Sequence, residues 1–260
     1  MVGVGIISGS GLSCLNEANV ASSAMIVNTP YGRPSDVLRK YEISGHGGFV
    51  LARHGPAHFL APHEINYRAN IWALKDSGAE VIISLATVGG ISAQYEPGVI
   101  VIPHQILDYT RNRNQTYFEK QNQIKHIDFS NPYCEELREL LIRSAVKANV
   151  EFVRSGVYAA TDGPRLESVA EVDMLDRDGA DIVGMTGMPE AALARELGLC
   201  YATIALVVNR AAGRSEGVVT SSEIKSIHSQ AINNIFNILS FAVPEATKVK
   251  YFIPGPISPE

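Results

Sequence analysis

The chain is poor in several things that would mark other classes of protein. Its three cysteines, Cys14, Cys134 and Cys200, are far apart, odd in number and in no CxxC spacing. That argues against a disulfide framework, and reduced, buried thiols are expected. No apolar run reaches the roughly 18 residues of a membrane-spanning helix. The first residues, Met-Val-Gly-Val-Gly-Ile-Ile, lack the basic segment of a secretory signal, so a cytoplasmic location is expected. Positive charge is not in excess either. With a net charge of −5, nothing electrostatic favours nucleic acid or an anionic membrane as partner. A bound phosphate would have to be held by local donors.

What is present is a globular composition, 46% apolar and 19% charged over 260 residues, enough for one large α/β domain or two small ones. There is no repeat, linker or composition break, so one domain over residues 1–260 is expected, with a proline-rich tail from about residue 244. Short apolar runs alternate with amphipathic stretches, as in α/β proteins. Strands are expected at 4–8, 49–53, 81–85, 99–103, 157–161, 182–185 and 201–208. Most are apolar throughout, which predicts cover on both faces. Helices are expected over 62–75, from Asn131-Pro132 to about Lys147, over 189–197 and from Ser221 onward, where Ile224, Ile227, Ala231, Ile235 and Ile238 form a stripe. Ser168-x-x-Glu171 and Thr220-x-x-Glu223 have the form of capping boxes. The polar segment 110–130 is long for a loop without a function.

Five places carry candidate chemistry. Ser8-Gly-Ser-Gly11 follows a strand and is either a phosphate cradle or a plain tight turn. Arg53 and His54 close an apolar run, where open α/β sheets bind ligands; they are either anion donors or packing residues. His54, His58 and His63 do not have metal spacing, because Gly55-Pro56 opposes the helix that would converge them, and no HExxH exists. Thr87, in Leu85-Ala-Thr-Val-Gly-Gly90, adds a hydroxyl at another glycine-rich strand end, which taken alone is either a set of anion donors or a close-packed turn. Met185 and Thr186 precede Pro189, which starts a helix whose N-terminus suits an anion, and Met185 is either a soft apolar face for a sugar or core filler. Glu190 there complements the helix dipole. Finally, Glu167 lies after a Gly-Pro turn and Asn209 at the end of an apolar run. A carboxylate and a carboxamide aimed into one pocket can read a 6-oxopurine edge, although each alone is also a helix-start carboxylate or a turn former.

These pieces, in this order, resemble the trimeric purine nucleoside phosphorylase and methylthioadenosine phosphorylase family over most of the chain. The resemblance rests on Ser8-Gly-Ser-Gly-Leu12, Thr29-Pro-Tyr-Gly-Arg-Pro-Ser-Asp36, Leu51-Ala-Arg-His-Gly55, Asn66-Tyr-Arg-Ala-Asn-Ile-Trp-Ala-Leu74, Gly163-Pro-Arg-Leu-Glu167 and Met185-Thr-Gly-Met-Pro-Glu190. It implies a single α/β domain with a central mixed sheet flanked by helices, a homotrimer, and phosphorolysis with inorganic phosphate as co-substrate and no other cofactor. By the same resemblance Ser10, Arg53, His54, Thr87 and Thr186 would hold phosphate. Met185 would lie under the ribose, and Leu166, Glu167 and Asn209 would meet the base, Leu166 standing where many relatives have an aromatic. Catalysis would fall to Asn209, Glu167 and His54. His126 matches a segment that reaches a neighbouring subunit's 5′ pocket.

Adenine-specific relatives have Asp where this chain has Asn209 and lack the Glu167 carboxylate, so a 6-oxo base is implied. Gly217-Val-Val-Thr220, with Val218, running into Ile224 would give that pocket an apolar lining suited to a thiomethyl group rather than a hydroxyl. Within the family the pattern is most similar to the S-methyl-5′-thioinosine phosphorylases.

Overall fold

The structure, a computed structural model, describes residues 3–9, 20–119, 125–215 and 221–248. In chain order its elements are β1 (Gly3–Ser8), β2 (Val20–Met25), β3 (Leu38–Ile43), β4 (His46–Ala52), α1 (Tyr67–Asp76), β5 (Ala79–Gly90), β6 (Ile100–Val101) and β7 (Gln105–Asp108). There follow α2 (Glu135–Lys147), β8 (Phe152–Val153), β9 (Val157–Ala160), α3 (Val169–Arg177), β10 (Ile182–Gly184), α4 (Gly187–Glu196), β11 (Cys200–Arg210) and α5 (Ser221–Ala246).

The strands form one mixed sheet in the order β2-β3-β4-β1-β5-β10-β9-β7, with β11 joining β5 to β6 and β6 joining β8. Its centre is parallel: β1 pairs with β4 and β5, and β11 runs beside β5 from Cys200↔Val81 to Arg210↔Gly90. The far end of β5 turns onto β10 in the antiparallel sense, Val183 opposite Gly89. β5 therefore reaches well beyond the 81–85 expected. Its extra length carries the sheet toward the elements that bear Met185 and Glu167.

The unbroken apolar runs have two covered faces, as expected. Val81, Ile83 and Leu85 of β5 and Ala202, Ile204 and Leu206 of β11 pack with Leu137 and Leu141 of α2 and Ile235 and Ile238 of α5. The alternate residues Ile82, Ala86, Val88, Ala205 and Val207 pack with Ile71 and Leu74 of α1 and Ala191 and Ala194 of α4. This is the period-2 alternation of a strand read from both sides. A smaller cluster seats Val172 and Leu175 of α3 against Ala159, Val183 and Ala211.

Several expected boundaries move for local reasons. α1 starts at Tyr67 because the Asn66 side chain accepts from the Ala69 N–H and caps it there. α2 starts at Glu135 rather than at Pro132, since the Cys134 N–H is tied across to the Tyr201 carbonyl at 2.9 Å. The Ser168–Glu171 capping box forms at the head of α3. Thr220 lies outside the described residues, and α5 runs through Pro244 to Ala246; the rest of the proline-rich tail, from residue 249, also lies outside them.

The thiol expectation needs correction. Cys134 and Cys200 are joined in a disulfide with Cα atoms 5.3 Å apart. They are 66 residues apart in sequence, and only the packing of the α2 start on β11 brings them together. Cys14 lies outside the described residues. Among the described residues no helix is long and apolar enough to cross a membrane.

Candidate active site

β4, β10 and β11 deliver candidate residues at or just beyond their carboxyl ends, where open α/β sheets bind ligands, and Glu167 follows β9 through a turn. Two groupings result. The first surrounds Arg53, which follows β4 and is 1% exposed. Its backbone N–H donates to Ser8 O at 3.0 Å, joining β4 to β1. Its Nε and Nη2 donate to the two oxygens of Glu190 at 2.5 and 3.0 Å, Nη2 also to Ser84 Oγ at 2.6 Å, and Nη1 to Leu85 O at 3.0 Å. Glu190, fully buried in α4, also accepts from Tyr201 Oη at 3.0 Å. Burial opposes the Arg53 charge, but the Glu190 carboxylate outweighs it and holds the guanidinium charged. The bidentate fork expected to face phosphate is thus engaged by Glu190, and among the described residues one Nη1 hydrogen remains. Gly9 lies against that nitrogen. A Cβ there would fall 2.5 Å from Leu85 O and 2.8 Å from Nη1, so a side chain would close the approach. The sequence reading of Glu190 as a dipole partner missed this buried pair.

His54 is 7% exposed, with Nδ1 at 2.9 Å from Leu60 O and its ring centroid 4.2 Å from that of His58. Burial first, and the Arg53 charge second, lower its pKa from 6.5 to about 4. The ring is therefore neutral near pH 7. Because a carbonyl can only accept, the proton sits on Nδ1 and Nε2 presents a lone pair. Thr186 is buried at the N-cap of α4, where its hydroxyl makes no capping bond and its N–H donates to Tyr158 Oη at 3.4 Å. Thr87 is placed differently. Ser84 and Ala86 lie on the face of β5 that meets Arg53 and α4, and strand alternation turns the half-buried Thr87 to the other face.

The second grouping lies where β9, β10 and β11 end. Glu167 is half-buried, and its Oε1 accepts from Thr161 Oγ1 at 2.6 Å. Asn209 follows a register shift after Val207, sits opposite Gly89, and donates from Nδ2 to Arg210 O at 2.8 Å. Among the described residues no other hydrogen bond reaches its side chain, and one amide hydrogen and Oδ1 remain. A Cβ on Gly89 would come within 3.3 Å of Asn209 Nδ2, so the small residue leaves the carboxamide its space. Met185 packs on the turn at Gly163, whose φ of +64° and lack of a side chain admit the sulfur; a Cβ there would lie 2.3 Å from Sδ. Leu166 is 58% exposed. A cavity of about 290 Å³ beside this turn is lined by Tyr109, Arg111, Asp162 and Arg165, along with Thr161 and Glu167. His126 is exposed on this chain. Ser10 and Val218 lie outside the described residues; Ile224 falls within α5, with its side chain outside the description.

Sequence reasoning passed over Arg113. It lies in the long polar segment, 3% exposed, and clamps the strand ends. Nη1 donates to Met185 O at 2.9 Å and Met188 O at 2.6 Å, and Nη2 to Thr161 O at 3.2 Å and Asp162 O at 3.0 Å. Four carbonyls around both groupings are thereby satisfied by one planar cation. The last turn of α4 holds the same segment from the other side. Glu196 accepts from Thr116 and Tyr117, and Arg195 donates to the carbonyls of Asp128 and Asn131. The unusual length of 110–130 was the available signal, but nothing in its pattern singles out Arg113. Among the described residues no cluster of His, Cys, Asp and Glu could hold a metal ion.

Comparison with known proteins settles the relationship. Residues 3–243 match the profile of the Phosphorylase superfamily. The chain belongs to that superfamily. Among its relatives is a probable S-methyl-5′-thioinosine phosphorylase of Pseudomonas syringae, 52% identical over 221 residues, covering 85% of this chain and 89% of the relative. A probable 6-oxopurine nucleoside phosphorylase of Thermococcus kodakarensis is 42% identical over 223 residues, covering 84% of this chain and 83% of the relative. Among solved structures, methylthioadenosine phosphorylase from Schistosoma mansoni in complex with adenine superposes with a TM-score of 0.91 at 31% identity. It covers 96% of this phosphorylase and 93% of the solved chain. The mixed α/β architecture of the phosphorylase is thus that of nucleoside phosphorylase structures.

Proposed function

We propose that the chain catalyses phosphorolysis of S-methyl-5′-thioinosine, giving hypoxanthine and 5-methylthioribose 1-phosphate. The observation that carries this reading is the pair at the second grouping: Glu167 with one carboxylate oxygen beyond its Thr161 bond, and Asn209 with one amide hydrogen beyond its Arg210 bond. A 6-oxopurine offers N1–H to the former and N7 or O6 to the latter. Adenine has no N1–H and would set a lone pair against the carboxylate. Sites built on such a bond reject the wrong analogue by orders of magnitude.

In the reaction a phosphate oxygen bonds to the anomeric carbon while the bond to the purine nitrogen breaks, its electron pair leaving with the base. The proton of hydrogen phosphate balances the one the purine takes up. Neutral His54 suits that phosphate hydroxyl, accepting its hydrogen at Nε2 and leaving the anionic oxygens to Thr186, the α4 N-terminus and the remaining Arg53 hydrogen. The phosphate dianion stabilises the oxocarbenium-like transition state, and Asn209 relieves charge growing on the purine. No metal or organic cofactor takes part. A homotrimer in the cytoplasm completes the reading, with His126 of each copy reaching the 5′ pocket of the next. The thiomethyl preference is supported by the name of the 52% identical relative and by the apolar residues Val218 and Ile224.

The test is hypoxanthine or adenine release from methylthioinosine, inosine and methylthioadenosine, each with and without phosphate. Release should require phosphate and be fastest from methylthioinosine. Equal release without phosphate would make the chain a hydrolase, and equal rates from inosine would make it a general 6-oxopurine phosphorylase.

A further inference from the structure

We infer that Thr161 is a positioning residue that sets base specificity by holding the Glu167 carboxylate. The inference rests on the proposed reading of Glu167 as the group that faces the purine N1–H. Thr161 is the first residue past β9, and its backbone is fixed on both sides. Its N–H donates to Gly184 O at 2.9 Å, and its carbonyl accepts from Arg113 Nη2 at 3.2 Å. A β-branched side chain on a fixed backbone has few rotamers, so the hydroxyl is a rigid post. The turn through Gly163 brings Glu167 back onto that post, six residues on, with Oγ1 at 2.6 Å from Oε1.

A hydroxyl has one proton to give. The alternatives are Glu167 at 2.6 Å and Gly184 O at 3.4 Å. The nearer acceptor carries the charge and takes the proton. No other hydrogen bond reaches Glu167 among the described residues. The neighbouring guanidinium of Arg165 feels the Glu167 charge weakly but is bonded to Glu171, with two bonds of 2.7 Å. One carboxylate oxygen is therefore engaged and oriented by a neutral donor, and the other is left to meet the base. A neutral donor preserves the negative charge that repels the N1 lone pair of a 6-aminopurine, which a paired arginine would cancel.

The experiment compares wild type with Thr161→Val, which keeps the shape and loses the donor, and Thr161→Ser, which keeps the donor. Phosphate-dependent release of hypoxanthine and of adenine is measured with separate KM values for nucleoside and phosphate. Thr161→Val should lower kcat/KM for the 6-oxopurine by about 10- to 100-fold, the range set by a hydrogen bond to a charged acceptor. The loss should appear mainly in the nucleoside KM, with the phosphate KM unchanged and the preference over the 6-aminopurine reduced. Thr161→Ser should restore most of the wild-type value.

A Val variant with the wild-type nucleoside KM and base preference overturns this inference alone. So do Val and Ser variants that lose nucleoside and phosphate affinity together, which marks a packing role. Wild type that releases no hypoxanthine with phosphate present overturns the proposed function as well.

Discussion

The two groupings at the sheet's edge handle charge in opposite ways. Around Arg53 a full ion pair is buried, with Arg53 1% exposed and Glu190 fully buried, and among the described residues one Nη1 hydrogen is left for a ligand. Around Glu167 a half-buried carboxylate is held, among the described residues, by one neutral hydroxyl, with an oxygen to spare. The first arrangement is architectural. It ties β4, which leads to His54, to α4, which begins at Thr186, and so sets the distance between two candidate phosphate ligands. In the proposed reading the second is selective, because an incompletely bonded carboxylate discriminates among the edges presented to it.

If that contrast is correct, removing charge at the two places has different consequences. Glu190→Gln leaves Arg53 buried with no full counter-charge and should cost about 3–5 kcal/mol of stability. Glu167→Gln should stay within about 0.5 kcal/mol, as substitutions outside a buried network do. Urea unfolding of both variants measures this, and equal losses would erase the distinction.

The next effect concerns His54, whose native pKa is lowered from 6.5 to about 4. Above pH 6.5 the ring is neutral whether folded or unfolded, and its contribution is complete. As pH falls from 6.5 to 4 the unfolded chain binds a proton that the native chain refuses, so stability drops, by about 3 kcal/mol across the window. His54→Gln should flatten that part of the stability–pH curve; an unchanged slope would remove the buried, neutral histidine from the account.

Arg113 bridges the two groupings and so tests whether they are independent. A lysine there has three N–H donors for four carbonyls, so Arg113→Lys should cost about 2 kcal/mol in unfolding free energy. It should also lower affinity for nucleoside and phosphate together, in contrast to a change at Thr161. The smallest effect is confined to the base. Asn209→Asp should leave the melting temperature unaltered and reduce kcat/KM on 6-oxopurines by about 10-fold, with a relative rise for adenine. Unchanged kinetics on both bases would remove Asn209 from the site.

Much of this molecule was legible in one dimension, and the reasons are local. The apolar runs at 81–85 and 201–208 predicted strands covered on both faces, because burial on both sides removes the polar alternation. The Ser168–Glu171 box declares a helix start through bonds that span three residues. Arg53, His54, Thr186 and Asn209 are conspicuous as polar groups at or just past the ends of apolar runs, and Glu167 as a carboxylate after a Gly-Pro turn. Other features depend on what lies across the sheet. β3, whose pattern alternates, and the extra length of β5 depend on partners that the run itself does not name. The Cys134–Cys200 disulfide joins segments that only the packing of α2 on β11 brings into contact.

The sequence by itself determined the architecture and the stations of the candidate site, since periodicity, glycine turns and caps act within a few residues. Only the tertiary structure decided how each charged group is used. Hydrogen-bond partners come from any distance along the chain: Arg53 meets Glu190 across 137 positions, and Arg113 reaches Met185 across 72. Burial then fixes the outcome, because a desolvated charge must be fully paired. That requirement commits all but one of the Arg53 hydrogens to the scaffold and leaves Glu167, nearer to solvent, with an oxygen to offer.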